Sequence, residues 1–195
     1  MDADILKIDL QRAYNYLDWG FIRCMLAKIS LFPQSINWIM SCIENVHYSV
    51  IINGTPSPFF MAERSLWQGC PLSPLIFIMA MNSLSLQINK AVAEKRCQPV
   101  RICKEIYLSH NLFVDDVLIF AMLCRASWIC LNDILDRFQK ATGLYINKEK
   151  SSLFHNDTNM QLVIWIADVL GIESRLRALK YLGFQLKAKG YSKAD

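Results

Sequence analysis

The residues best placed to do chemistry in this chain are acids that interrupt apolar runs. In Asn111-Leu112-Phe113-Val114-Asp115-Asp116-Val117-Leu118-Ile119-Phe120, two adjacent carboxylates sit between strand-like stretches. Such a charge is costly in apolar surroundings unless something compensates it. A divalent cation does so, because Mg²⁺ takes hard oxygen ligands and is commonly held by one or two carboxylates together with substrate phosphates. A solvated hairpin turn would also accommodate the pair, and the dipeptide alone does not choose between the two. Asp9 ends a second apolar run, Ile5-Leu6-Lys7-Ile8-Asp9. Three carboxylates on neighbouring strands can hold two metals, which then stabilise the attacking and leaving oxygens of an in-line displacement.

A third string, Gln68-Gly69-Cys70-Pro71-Leu72-Ser73-Pro74, has different chemistry. Gly69 permits close backbone approach, and a helix start after Ser73 offers free N–H groups that favour phosphate. An ordinary capped loop-to-helix connection would use the same residues.

In order along the chain stand Lys7-Ile8-Asp9-Leu10-Gln11-Arg12-Ala13-Tyr14, the Gln68–Pro74 string and Phe113-Val114-Asp115-Asp116. Gly143-Leu144-Tyr145-Ile146-Asn147-Lys148-Glu149-Lys150-Ser151 and Tyr181-Leu182-Gly183 follow. This series resembles the palm of a reverse transcriptase, most closely that of a non-LTR retrotransposon of the long interspersed element type. The resemblance covers the chain from about Asp4 to its end. It implies RNA-directed DNA synthesis by two-metal nucleotidyl transfer, with two Mg²⁺ ions that Mn²⁺ can replace. The implied partners are an RNA template, a DNA primer and a dNTP. Asp9 and Asp115 match the first and second metal-binding acids, expected to lie close enough to share a metal, and Asp116 their less critical neighbour. Lys150 matches the basic residue that protonates the leaving pyrophosphate, where a solvated lysine is the alternative. Tyr14 falls at the aromatic gate against a ribose 2′-hydroxyl, although a helix-start aromatic packing inward would look the same. Gln68 and Gly69 match the surface for the incoming dNTP and template base. Tyr181, Leu182 and Gly183 match the primer grip, where a plain core strand is the alternative.

The chain departs from the family pattern at four places. Trp67 stands where Arg is usual, Cys70 where Asp is usual, Asn15 where Asp is usual and Val114 where Ala is usual. Trp67 and Cys70 each remove a charge beside the nucleotide site and leave the acids untouched. Only eight residues precede Asp9, and twelve follow Gly183. Fingers and thumb are therefore expected to be largely missing, and the rest of a longer polyprotein with them. One rival reading is an inert retrotransposon remnant with weak nucleic-acid binding. A second is an RNA-dependent RNA polymerase palm, and a third an unrelated α+β interaction module.

These residues need a frame to position them. The 195-residue chain carries 21 Lys+Arg against 17 Asp+Glu, a net charge of +4, and is 53% hydrophobic and 19% charged. Such a composition excludes a disordered or collagen-like chain and supports one sizeable core. The mild positive excess permits a nucleic-acid partner without requiring one. Seven cysteines, at 24, 42, 70, 97, 103, 124 and 130, show no C-x-x-C spacing. They read as core filler in a reducing, intracellular compartment, nuclear or cytoplasmic. The acidic N-terminus does not begin a signal peptide. The uncharged stretch Ser65–Asn89 has its fully apolar run only over Leu75–Met81. It reads as a buried helix, with no membrane partner.

Patterning predicts strands at Ile5–Asp9, Tyr48–Ile52, Phe59–Met61, Val100–Tyr107, Leu112–Phe120, Tyr145–Ile146, Ser152–Phe154 and Tyr181–Leu186. Asn53-Gly54 marks a hairpin. Helices are expected from Trp19 to Ile29 behind an Asp18 cap, after a Ser35 cap, and from Pro74 to Glu94 behind a Ser73 cap. Two more are expected over Ala126–Thr142, stopped by Gly143, and Asn159–Leu170. Strands and helices interleave without a βαβ rhythm, which predicts an α+β fold with an antiparallel sheet. The expected domain is 1–195, with the palm over 4–186.

Overall fold

The structure, a computed structural model, describes residues 3–44, 46–155, 159–176, 178–182 and 184–187. The chain divides into two compact units. The first takes the described residues of Met1–Leu10, Ser83–Arg137 and Ile146–Asp195, and the second takes Gln11–Asn82 and Phe138–Tyr145.

The first unit is built on a sheet of β1 (Ala3–Asp9), β8 (His110–Phe113), β9 (Asp116–Met122), β10 (Ser152–His155) and β11 (Glu173–Leu176), in the order β11-β10-β1-β9-β8. All neighbours are antiparallel except β10 and β11, which run parallel and are joined through α6 (Met160–Leu170). Alternation along β1 sends Leu6 and Ile8 into the core, both 1% exposed. Val117, Ile119 and Ala121 of β9 do the same, together with Leu153 of β10 and helical residues such as Leu84, Ile88, Trp128 and Leu131. The opposite face carries Ile5, Lys7 and Asp9 of β1 beside Phe120, Leu118 and Asp116 of β9. Leu118, Phe154 and Tyr181 form a small apolar cluster there, packed by Ile5 and Phe120.

The second unit contains α1 (Ala13–Tyr16), α2 (Trp19–Lys28), α3 (Pro33–Glu44) and four two-residue strands. These are β2 (His47–Tyr48), β3 (Ile51–Ile52), β4 (Thr55–Pro56) and β5 (Phe60–Met61). Asp18 caps α2 as expected, its Oδ1 accepting from Phe21 N at 2.7 Å. Asn53 and Gly54, at φ 50° and 81°, turn β3 into β4. Gly143 ends the helix that precedes it, Arg125–Thr142: its φ is 73°, and a Cβ there would lie 2.7 Å from the Tyr16 carbonyl oxygen.

Several local expectations are corrected. The run Tyr48–Ile52 breaks between β2 and β3, because the Ser57 hydroxyl accepts from Val50 N at 3.0 Å and the Ser49 hydroxyl donates to Ser57 O at 2.7 Å. Pro33 rather than Ser35 opens α3, as its preset φ favours. The long helix α4 spans Leu72–Ala93, and Ser73 does not cap it. Its buried hydroxyl donates backwards to Trp67 O at 2.7 Å. This helix is long and apolar enough to cross a membrane, and it buries Ile76, Phe77, Ala80, Met81, Leu84, Ile88 and Ala91 within the protein.

The stretch Val100–Tyr107 is not one strand but a hairpin of β6 (Val100–Arg101) and β7 (Tyr107–Leu108), its tip tied by Arg101 to the Cys103 and Lys104 carbonyls. Ile146 contributes only a single bridge, to Leu10. The helix α5 covers Arg125–Thr142, and α6 is capped by Asn159 Oδ1 accepting from Leu162 N at 3.2 Å. Tyr181–Leu186 is also a hairpin, β12 (Ala178–Tyr181) against β13 (Phe184–Lys187), turning through Leu182 at φ 48°.

Candidate active site

The register of β1 with β9 builds the site. Asp9 lies opposite Asp116, so both carboxylates leave the same face of the sheet at the same end. Phe113 also pairs with Asp116, which leaves Val114 and Asp115 as the two-residue turn between β8 and β9. Val114 sits at φ 55°. That conformation suits glycine and is strained for a β-branched residue. Backbone strain of this kind persists only where the surroundings impose it. Here the ladders on both sides hold the turn, and Asp115 projects from it exposed to solvent.

Lys7, two residues before Asp9 and on the same face, places its Nζ 4.0 Å from Asp116 Oδ1. Burial pushes the Asp116 carboxyl above the usual range; the Lys7 ammonium pulls it down, and the charges of Asp115 and Asp9 push it up again. The three acids and one lysine therefore form a single electrostatic group. Among the described residues, no three His, Cys, Asp or Glu side chains converge as a ready-made cage for a metal. Mg²⁺ asks less of a protein, keeping several waters and taking one or two carboxylates plus substrate phosphates. The facing pair Asp9 and Asp116, with Asp115 beside it, fits that donor chemistry.

The segment 146–151 clasps Asp9 from the other side. Asn147 N donates to Asp9 O at 2.8 Å, and Asp9 N donates to Ser151 Oγ at 3.1 Å. The clasp is closed on itself by Ser151 N donating to Asn147 O at 2.9 Å. Lys150 belongs to this turn and is exposed, with its N–H directed at Asn147 Oδ1, 3.4 Å away. Sequence reasoning assigned a role in this stretch to Lys150 alone and missed Asn147 and Ser151. The readable signal was an Asn and a Ser, both able to bond backbone groups locally, bracketing that lysine. Tyr181 reaches the same face from β12. Its ring is buried against Leu118 and Phe154, and its hydroxyl accepts from Asn111 Nδ2 at 3.3 Å. Burial raises the Tyr181 phenol, and the Asp116 charge raises it further. Leu182 is exposed at the hairpin turn; Gly183 lies outside the described residues.

The remaining predicted residues gather in the second unit. Tyr14 is half-buried on α1, its ring stacked on Phe77 with centroids 4.9 Å apart and planes 18° off parallel. Its carbonyl accepts from Leu66 N at 2.7 Å, which fixes the start of the loop that carries Gln68 and Gly69. Both of those are exposed, and Gly69 takes φ 96° with open space around it. Cys70, where the family has Asp, sits at the start of α4. The Leu72 N–H lowers its thiol pKa, burial opposes that, and the Ser73 N–H and hydroxyl lower it further. Trp67 is 55% exposed.

Comparison with known proteins bears on the family and the fold. The family model described as reverse transcriptase (RNA-dependent DNA polymerase) matches residues 3–186. The chain is 24% identical over 146 residues to a retrovirus-related Pol polyprotein from a type-2 retrotransposable element of Drosophila melanogaster, covering 75% of this chain and 13% of that protein. It is 37% identical over 82 residues to an uncharacterized mitochondrial protein of Arabidopsis thaliana, covering 42% of this chain and 62% of that one. In fold it is similar to telomerase from Candida albicans, solved with a fragment of telomeric RNA: TM-score 0.69, 14% identity, 96% of this chain and 29% of the other. Apo telomerase from Candida tropicalis gives TM-score 0.66 at 15% identity, over 95% of this chain and 34% of that one. The chain thus spans a small part of the Pol polyprotein and about a third of the telomerase chains. With a matching family model across nearly all its length and an α+β palm beneath the acids, the chain belongs to the reverse transcriptase (RNA-dependent DNA polymerase) family.

Proposed function

We propose that this chain carries the catalytic palm of an RNA-directed DNA polymerase. The observation that carries the reading is the register of β1 with β9, which sets Asp9 and Asp116 side by side with Asp115 on the adjoining turn. The reaction is attack of a primer 3′-hydroxyl on the α-phosphate of a dNTP, forming a phosphodiester and releasing pyrophosphate. Asp9, Asp115 and Asp116 would hold two Mg²⁺ ions, or Mn²⁺ in their place, which when bound neutralise charge on the attacking and leaving oxygens.

The chain's own residues supply positioning, which is most of what such a reaction asks of a protein. Asn147 and Ser151 hold the backbone of Asp9. Lys7 balances the Asp116 carboxylate. Lys150, exposed on the clasp, gives a proton to the departing pyrophosphate. Tyr14, its ring held against Phe77, excludes a ribose 2′-hydroxyl. Gln68 and Gly69 offer an open surface to the dNTP and template base. Tyr181, Leu182 and Gly183 steady the primer end. The partners are an RNA template, a DNA primer and the remainder of a longer polyprotein.

Primer extension by the 195-residue chain on an RNA template tests this. The expected result is dNTP-dependent extension that falls about a hundredfold or more in Asp115→Asn. No extension from the folded chain, an equal rate in the variant, or a preference for rNTPs would each count against it.

A further inference from the structure

A cation stands among the acids of the first unit. Successive side chains of a strand point to opposite faces, so Lys7 shares a face of β1 with Ile5 and Asp9. Directly across from it on β9 is Leu118, which is buried in the apolar cluster with Phe154 and Tyr181. That floor offers an ammonium nothing. The diagonal neighbour two residues along β9 is Asp116, within reach of a long side chain. Lys7 Nζ comes to 4.0 Å from Asp116 Oδ1, with the two side chains 24% and 28% exposed. A partly buried pair of this kind is screened much less than one in open solvent. Asp9 faces Asp116, and Asp115 projects from the adjoining turn, so three carboxylates share this end of the sheet with the Lys7 ammonium.

We propose that Lys7 is the built-in counter-ion of these acids and competes with the divalent cation for Asp116, so that it sets how tightly the site holds metal. The inference rests on the reading of the acids as metal ligands. A Mg²⁺ ion on a carboxylate oxygen lies about 2.0–2.1 Å from it. With Nζ 4.0 Å from Asp116 Oδ1, a metal on that oxygen would stand no more than about 6 Å from the ammonium. Repulsion between like charges grows as their separation falls. Either the ammonium stays and the metal is held less tightly, or the ammonium swings away and its contact with Asp116 is lost. Both routes weaken metal binding through the same residue. Before metal arrives, the ammonium offsets carboxylates whose like charges disfavour one another at close range. Lysine suits such a role: it is a compact point charge on a flexible four-carbon stem, whereas the rigid fork of arginine would grip the carboxylate.

The test is Mn²⁺ affinity of the 195-residue chain, read from the free-ion signal in electron paramagnetic resonance. Lys7→Met keeps an apolar stem, removes the charge and should bind Mn²⁺ about tenfold more tightly than the wild type, a usual size of coupling within one charge network. Lys7→Arg keeps the charge and should bind no more tightly than the wild type. In an Asp116→Asn background, adding Lys7→Met should tighten binding by less than it does beside an intact Asp116. Thermal melting gives a second reading: one fixed Mn²⁺ concentration should raise the Tm of Lys7→Met by more than it raises that of the wild type. Saturable binding with equal or lower affinity in Lys7→Met would overturn the inference and leave the metal reading standing. So would a gain in Lys7→Arg as large as in Lys7→Met, which would trace to packing rather than charge. No saturable binding in the wild type or in any variant would overturn the metal reading itself, and the inference with it.

Discussion

The strands that carry the acids and the small strands of the second unit solve the same problem differently. β1 and β9 pair in unbroken register from Ala3↔Met122 to Asp9↔Asp116, with one face buried throughout. β3 and β4 share only Ile51↔Pro56 and Ile52↔Thr55, and every residue in them is exposed. A one-residue slip in the first pair would carry its buried set to the wrong face, so packing specifies the register strongly. In the second pair the turn chemistry of Asn53-Gly54 holds the shape with little help from a core. The lesson is that the carboxylates inherit their geometry from the buried side of their own strands. Val50, Ile51, Ile52, Phe59, Phe60 and Met61 are instead each exposed to solvent.

Three substitutions sharpen this contrast. The largest effect is expected at Ile119→Ala, which empties a fully buried position of β9 and should cost about 2–5 kcal/mol by urea denaturation. A loss below about 1 kcal/mol would mean that the sheet face is not the rigid support described. A middle effect is expected at Ser151→Ala, which removes the acceptor for Asp9 N and should cost about 1–3 kcal/mol. If stability and primer extension both stayed at the wild-type level, the clasp would have no part in positioning Asp9. The smallest effect belongs to Ile51→Ala, 73% exposed, where the same titration should move by no more than about 0.5 kcal/mol. A larger loss there would erase the distinction between the two regions.

Much of this was legible in the residues, and the exceptions have physical causes. Asp18 and Asn53-Gly54 act locally, and their cap and turn roles hold as expected. Ser73 has the right residue type for a cap, yet its hydroxyl is used by the Trp67 carbonyl, a contact set by the folded loop. Val100–Tyr107 and Tyr181–Leu186 look like single strands because alternation does not reveal a turn placed at Leu182 or at the Cys103-Lys104 tip. The acids were visible as interruptions of apolar runs. The acid across the sheet from Asp9 is Asp116, where Asp115 was the expected neighbour, because the pairing depends on the two-residue turn at Val114-Asp115 and the long-range register it sets. The Asn147 and Ser151 clasp is likewise a long-range pairing that spacing alone does not disclose.

The central claim is that one face of β1 and β9 makes Asp9 and Asp116 a shared metal site. Titration of the 195-residue chain with Mn²⁺, followed by electron paramagnetic resonance, tests it most directly. The prediction is saturable binding in the wild type that weakens about tenfold or more in Asp9→Asn and in Asp116→Asn, and not in Asp133→Asn on the exposed side of α5. Equal affinity in all four proteins, or no saturable binding at all, would contradict the claim.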